Sequence, residues 1–80
     1  WPSAFTKYQG KMLKIWSASV LNTEVEGRPG EVLELTNDEI KVKTRKGILC
    51  IKELQLEGKK RMTTEAFLRG FTIEKGTILG

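Results

Sequence analysis

Eighty residues make one small domain with a thin core, because a chain of this size buries only about 60% of its unfolded surface. No run approaches the roughly 20 apolar residues that cross a bilayer, and no membrane partner is expected. The net charge of +4 leans toward polyanionic partners. The absence of histidine, with a single cysteine, excludes an internal disulfide, a Cys/His zinc site and any Ser-His or Cys-His nucleophile pair.

The chain opens on Trp1-Pro2-Ser3 without an initiator Met and reads as a fragment of a longer protein. Ala4 to Tyr8 is a short strand with Phe5 and Tyr8 as apolar anchors, and Gln9-Gly10 is a turn. Lys11 to Leu21 is the longest strand pattern. Leu13 and Ile15 alternate with Lys14, then the apolar set moves to Ala18 and Val20 on the opposite parity. A phase slip of this kind, just after Trp16, is what a β-bulge produces.

Asn22 to Gly30 is a polar loop, and Gly27-Arg28-Pro29-Gly30 is a tight turn with Gly30 free to take positive φ. Glu31 to Thr36 and Glu39 to Thr44 are strands joined at Asn37-Asp38 as a hairpin. Ile40 and Val42 take one face of the second strand, Lys41 and Lys43 the other. Arg45-Lys46-Gly47 is a basic turn. Ile48 to Leu56 begins apolar on both faces, at Ile48-Leu49-Cys50-Ile51, and is therefore central or covered. Cys50 reads as a small core residue.

Gly58 follows, then Lys59-Lys60-Arg61. Met62 to Arg69 is predicted as a short helix with Thr63 as N-cap, Glu65 in the first turn and Gly70 as a left-handed stop. Phe67 and Leu68 are expected to pack it on the sheet. Ile73, Ile78 and Leu79 are expected to anchor one further extended segment. The sum is a mostly β domain: a small OB-like (Greek-key) barrel of five or six strands with one short helix near the C-terminus. An SH3-like barrel is the alternative on pattern alone.

No catalytic constellation appears. The clearest carboxylate pairs, Glu24/Glu26 and Glu31/Glu34, lie in or beside a turn and read as solvated surface. The glycine turns match neither a phosphate-cradling loop nor a dinucleotide fingerprint. The cations fall into three groups: Lys41 and Lys43 with Arg45 and Lys46, then Lys59, Lys60 and Arg61, then Lys11 and Lys14. Each reads equally as phosphate-binding or as ordinary solubilising charge. Among the aromatics, Trp16 alone is flanked by a strand cation, while Trp1, Phe5, Phe67 and Phe71 are expected in core or interdomain packing.

The run from Glu53 to Gly70, ELQLEGKKRMTTEAFLRG, resembles the C-terminal domain of bacterial methionyl-tRNA formyltransferases. The opening Trp1 to Thr6, the strand from Gly10 to Trp16, the turn from Gly27 to Gly30 and the ending from Gly76 to Gly80 are similar to the same family in the same order. Ser3, Leu56 and Lys75 depart from its usual residues, and none of these departures removes a cation from the matched groups. The resemblance implies residues 1–80 as a single C-terminal OB-like domain of a longer enzyme. The catalytic N-terminal domain would precede it. That enzyme transfers a formyl group from 10-formyltetrahydrofolate to methionyl initiator tRNA in translation initiation.

By the same resemblance the fragment is non-catalytic and holds no cofactor or metal of its own. Its tRNA-contacting candidates are Lys59, Lys60 and Arg61, then Lys41, Lys43 and Arg45, with Arg69 in addition. The implied partners are initiator tRNA and the N-terminal domain of the same chain, in a cytoplasmic monomer. Two other readings remain open. One is a structural subdomain of another folate-dependent formyltransferase, of the sugar-nucleotide or formyltetrahydrofolate dehydrogenase kind. The other is a free-standing OB-type single-strand nucleic-acid binder.

Overall fold

A computed structural model describes residues 4–45 and 47–80, so Trp1-Pro2-Ser3 and Lys46 lie outside it, and with them the packing expected of Trp1. The elements are β1 (Ala4–Tyr8), β2 (Lys11–Leu21), β3 (Val32–Leu35), β4 (Ile40–Lys43), β5 (Ile48–Leu56), β6 (Met62–Thr63) and α1 (Thr64–Gly70). They form one curled, antiparallel half-barrel sheet in the order β1-β2-β5-β4-β3. β6 pairs with β5 beyond the end of β4. Strands β3, β4 and β5 follow one another by short turns, and β5 returns beside β2, which is a Greek-key arrangement.

β1 and β2 are joined through Gln9 and Gly10, at φ 52° and 80°. Two consecutive positive φ values give the turn whose twist matches that of paired strands. β2 pairs with β5 along most of its length, from Leu13 opposite Leu56 to Leu21 opposite Ile48. The register is irregular on both sides of Ser17, where the phase slip in the sequence places the bulge. The slip carries the inward set from Leu13 and Ile15 to Ala18, which lies opposite Ile51. It also bends β2 enough for the sheet to curl.

The core is the concave side of this curl. Leu13, Ile15, Val32, Ile40, Val42, Ile51, Leu54, Leu56, Phe67, Ile73 and Leu79 are buried together, with Tyr8 at its margin. Cys50 is buried on central β5. α1 covers one end. Phe67 is fully buried and stacks on Phe71, ring centroids 4.7 Å apart and 11° from parallel. The Thr64 hydroxyl, also fully buried, donates to the Ile51 carbonyl at 2.9 Å. That bond pins the start of the helix to the sheet where β5 passes from β4 to β6.

The tail closes what the sheet leaves open. Val32 N–H donates to Thr77 O, Gly76 N–H to Val32 O and Leu79 N–H to Gly30 O, each at 2.8 Å, so the tail runs along β3. Gly80 N–H then donates to Lys7 O of β1 at 2.9 Å. One short segment thus bridges the two outermost strands and satisfies edge groups that would otherwise invite pairing with another chain.

Gly30 makes this closure possible. It sits at φ 90° in the Arg28–Glu31 turn, and a Cβ there would stand 2.4 Å from the Leu79 carbonyl oxygen. Gly30→Ala is therefore expected to cost about 1–3 kcal/mol in backbone strain and to loosen the tail. Amide exchange at Val32, Leu79 and Gly80 should then quicken more than at β5. Uniform exchange across the chain would contradict this role.

Four expectations are corrected. The helix begins at Thr64, because Met62 and Thr63 pair with Leu54 and Glu53 as β6. Thr63 is the N-cap as expected, accepting from Ala66 N–H at 3.1 Å. Gly70 does not end the helix in a left-handed conformation; the chain leaves through Phe71 at φ −134°, whose N–H returns to Phe67 O. Ile78 is not an anchor. It is 46% exposed, while Ile73 and Leu79 carry the burial. Phe5, expected in core or interdomain packing, is not in the core: it is 59% exposed on the outer face of β1, opposite Lys14 of β2.

Candidate nucleic-acid interface

The outer face of β1, β2 and β5 collects the residues of interest. Phe5, Lys14 and Gln55 occupy adjacent strands in direct register. Trp16 stands two residues beyond Lys14 at the bulge. After β5 the chain turns through Glu57 and Gly58, with Lys59 N–H donating to Leu56 O at 2.9 Å. Gly58, at φ 83°, takes the position of this turn that favours glycine. The turn sends Lys59, Lys60 and Arg61 back along β5 into β6, on the edge of β5 opposite to β2, and Arg61 pairs there with Glu53 of β5.

Two further bonds hold this turn. Glu57 N–H donates to Met12 O at 2.8 Å, and the Glu57 carboxylate accepts from Met12 N–H at 3.0 Å. The Gln55 amide works in both directions: its Oε1 accepts from Trp16 Nε1 and its Nε2 donates to Lys59 O, each at 3.0 Å. Gln55 therefore couples the half-buried indole to the cationic turn.

The cations converge on aromatic faces. The Lys14 ammonium lies 4.0 Å from the Trp16 ring centroid and 5.5 Å from that of Phe5. The Arg61 guanidinium lies 4.4 Å from the Trp16 ring, and Lys59 lies 5.9 Å from Phe71. Arg61 also pairs with Glu53 at 2.6 Å. Lys60 is exposed on the same turn. An open apolar groove of about 380 Å³ runs beside them, lined by Phe5, Met12, Lys14, Gln55, Leu56 and the Glu57–Gly58 turn. Fixed cations beside an aromatic and apolar groove match the needs of a phosphate backbone and of a stacked base.

The other predicted cations lie elsewhere. Lys41, Lys43 and Arg45 belong to β4 and the turn after it, across β5 from Lys14 and Trp16. Lys41 pairs with Glu34 at 3.6 Å, and the Lys43 ammonium donates to Thr44 O. Arg45 is exposed in its turn. Arg69 is exposed on α1 and pairs with Glu65 one helical turn back, at 3.7 Å. Lys52 is engaged at 3.1 Å by Glu39, whose hydrogen bond and charge hold its ammonium above the usual lysine range.

The candidate groups thus divide. Lys59, Lys60 and Arg61 are joined by Lys14, Trp16, Phe5 and Gln55, whereas Lys41, Lys43, Arg45 and Arg69 are not brought into that cluster. In the sequence Lys14 stood in the third cation group with Lys11, and Trp16 was the one aromatic flanked by a strand cation, but nothing there joined either to Arg61. Gln55 carried no signal at all.

Fold and surface together define a small OB-like β domain whose charge sits on an open outer face. Residues 1–72 match the family described as formyl transferase, C-terminal domain, and the chain belongs to that family. It is 46% identical over 80 residues to the methionyl-tRNA formyltransferase of Alkaliphilus oremlandii, covering all of this chain and 26% of that protein. It is 47% identical over 85 aligned positions to that of Lachnospira eligens, covering all of this chain and 27% of the relative. With that of Clostridioides difficile the identity is 39% over 80 residues. The chain therefore spans about a quarter of the length of the curated relatives it matches. The match to the family stops at Thr72, so the closing tail lies just beyond it.

Proposed function

We propose that this chain is the tRNA-binding accessory domain of a methionyl-tRNA formyltransferase. It would hold methionyl initiator tRNA for a catalytic N-terminal domain of the same chain, in the cytoplasm and as a monomer. The observation that carries this reading is the outer face at β2 and β5, where Lys14 and Arg61 both stand on Trp16 and Lys14 also faces Phe5, with Lys59 and the exposed Lys60 on the adjoining turn. The relatives are methionyl-tRNA formyltransferases, which makes a tRNA what such a face would meet. The formyl donor, 10-formyltetrahydrofolate, and the transfer step belong to the N-terminal domain, and no part of either is assigned to residues of this chain.

Binding would be dominated by phosphates, read by position rather than by base identity. Each neutralised phosphate releases counterions, giving a slope of about −0.9 in log affinity against log salt. With about six such contacts the slope for initiator tRNA is about −5. The measurement is a titration of the 80-residue chain and of the full-length enzyme with initiator tRNA across a salt series. Affinity that holds constant from low to high salt would sink the reading. Full tRNA formylation by an enzyme stripped of these cations would favour a purely structural subdomain.

A further inference from the structure

We infer that Lys14, Trp16 and Arg61 form a single prearranged site for the phosphodiester backbone of RNA, with Lys14 a direct contact and Trp16 the residue that positions both cations. This rests on the tRNA-binding reading and adds to it a contact and a positioning device on β2 that no motif or relative assigns.

The geometry is specific. Lys14 lies on β2 and Arg61 lies past the end of β5, yet both charges stand within 4.4 Å of one indole ring. Like charges gathered on one residue repel unless something holds them. Here the ring face supplies part of that hold through its quadrupole. The indole is fixed in turn: its N–H is bound by Gln55, whose amide also holds the Lys59 carbonyl.

The charge balance leaves room for an anion. Among the described residues Lys14 makes no ion pair. Arg61 gives its Nη2 to Glu53, and the guanidinium still has donors on its other nitrogens for a phosphate. Two cations against one carboxylate leave one positive charge, carried on a half-buried indole. Long basic side chains on a solvated surface lose rotamer freedom when they bind. Trp16 removes much of that freedom beforehand, which is why it is a positioning residue and Lys14 a contact.

The test compares initiator tRNA binding by wild type, Lys14→Ala, Trp16→Leu, Trp16→Phe and Arg61→Ala across a salt series, with circular dichroism to check folding. Lys14→Ala should make the salt slope shallower by about 0.9. Trp16→Leu should weaken binding about fivefold, and Trp16→Phe, which keeps an aromatic face, should retain most of the affinity. In the Lys14→Ala/Arg61→Ala background, Trp16→Leu should have no further effect, because nothing is left to position.

An unchanged slope and affinity in Lys14→Ala would overturn the inference while leaving tRNA binding by the remaining cations intact. A Trp16→Leu loss of the same size with and without the two cations would overturn the positioning role and make the indole a stacking surface. If Trp16→Leu does not fold, the slope of Lys14→Ala and the affinity of Trp16→Phe decide the matter. Absence of salt-dependent tRNA binding in wild type would instead overturn the tRNA-binding reading itself.

Discussion

Replacing Lys59, Lys60 and Arg61 together by alanine is expected to weaken initiator tRNA binding roughly a hundredfold near physiological salt. Three phosphate contacts at about 1 kcal/mol each account for that factor. The salt slope should become shallower by about 2.7. Stability should scarcely change. All three residues are exposed, and the one ion pair lost, Arg61 with Glu53, lies at the surface and contributes about 0–1 kcal/mol.

Removing Arg61 also leaves Glu53 uncompensated beside the approaching backbone, so the loss should exceed that of either lysine alone. Fluorescence anisotropy with labelled tRNA, beside a thermal melt of the same variant, separates binding from folding. A contrasting triple variant, Lys41→Ala, Lys43→Ala and Arg45→Ala, is expected to do less, because Lys41 and Lys43 already have local partners in Glu34 and the Thr44 carbonyl. If the second variant loses affinity and the first keeps it, the interface lies on the β3–β4 half of the sheet.

Phe67→Ala should produce the largest loss of stability in the chain. The ring is fully buried and stacked on Phe71, and emptying such a position costs about 3–5 kcal/mol. A domain of this size has a total stability of only about 4–12 kcal/mol. The melting midpoint should fall by about 15–30 °C. The effect should reach the interface although Phe67 touches no ligand. Its partner Phe71 lies beneath Lys59, and α1 continues from β6, which aligns Arg61 with Glu53. tRNA affinity should therefore decline even below the melt. A midpoint within about 5 °C of wild type would show that α1 does not hold this end of the sheet.

The strands were legible because their patterns are local. β1, β2 and β5 have the bounds that alternation and turn residues give them, and the slip after Trp16 is the bulge. Gly30 and Gly58 take positive φ in the turns where they stand. Errors arose where a residue's fate depends on a distant strand. Met62 and Thr63 have helix-compatible neighbours in sequence, yet β5 offers them a ladder, and pairing outweighs a propensity worth a few tenths of a kcal/mol. Ile78 and Leu79 are equally apolar, and only the tail's path along β3 decides which of them faces inward.

The cationic surface divides the same way. Composition and the Gly58-Lys59-Lys60-Arg61 run fixed the sign of the charge and one stretch that carries it. The family, too, was readable from short motifs in order, and the match over residues 1–72 bears it out. What folding alone decided is which cations stand together. Lys14 and Arg61 meet on Trp16 because β2 and β6 flank β5 at the same level, at Glu53 and Leu54, so that residues remote in sequence come onto one ring across β5. Lys41 and Lys43, as prominent in the sequence, are carried by the register of β4 to the Ile48–Cys50 end of β5, away from Glu53 and the turn that bears Arg61. Side-chain parity is a property of the chain, whereas adjacency across strands is set by register, and register exists only once the sheet has formed.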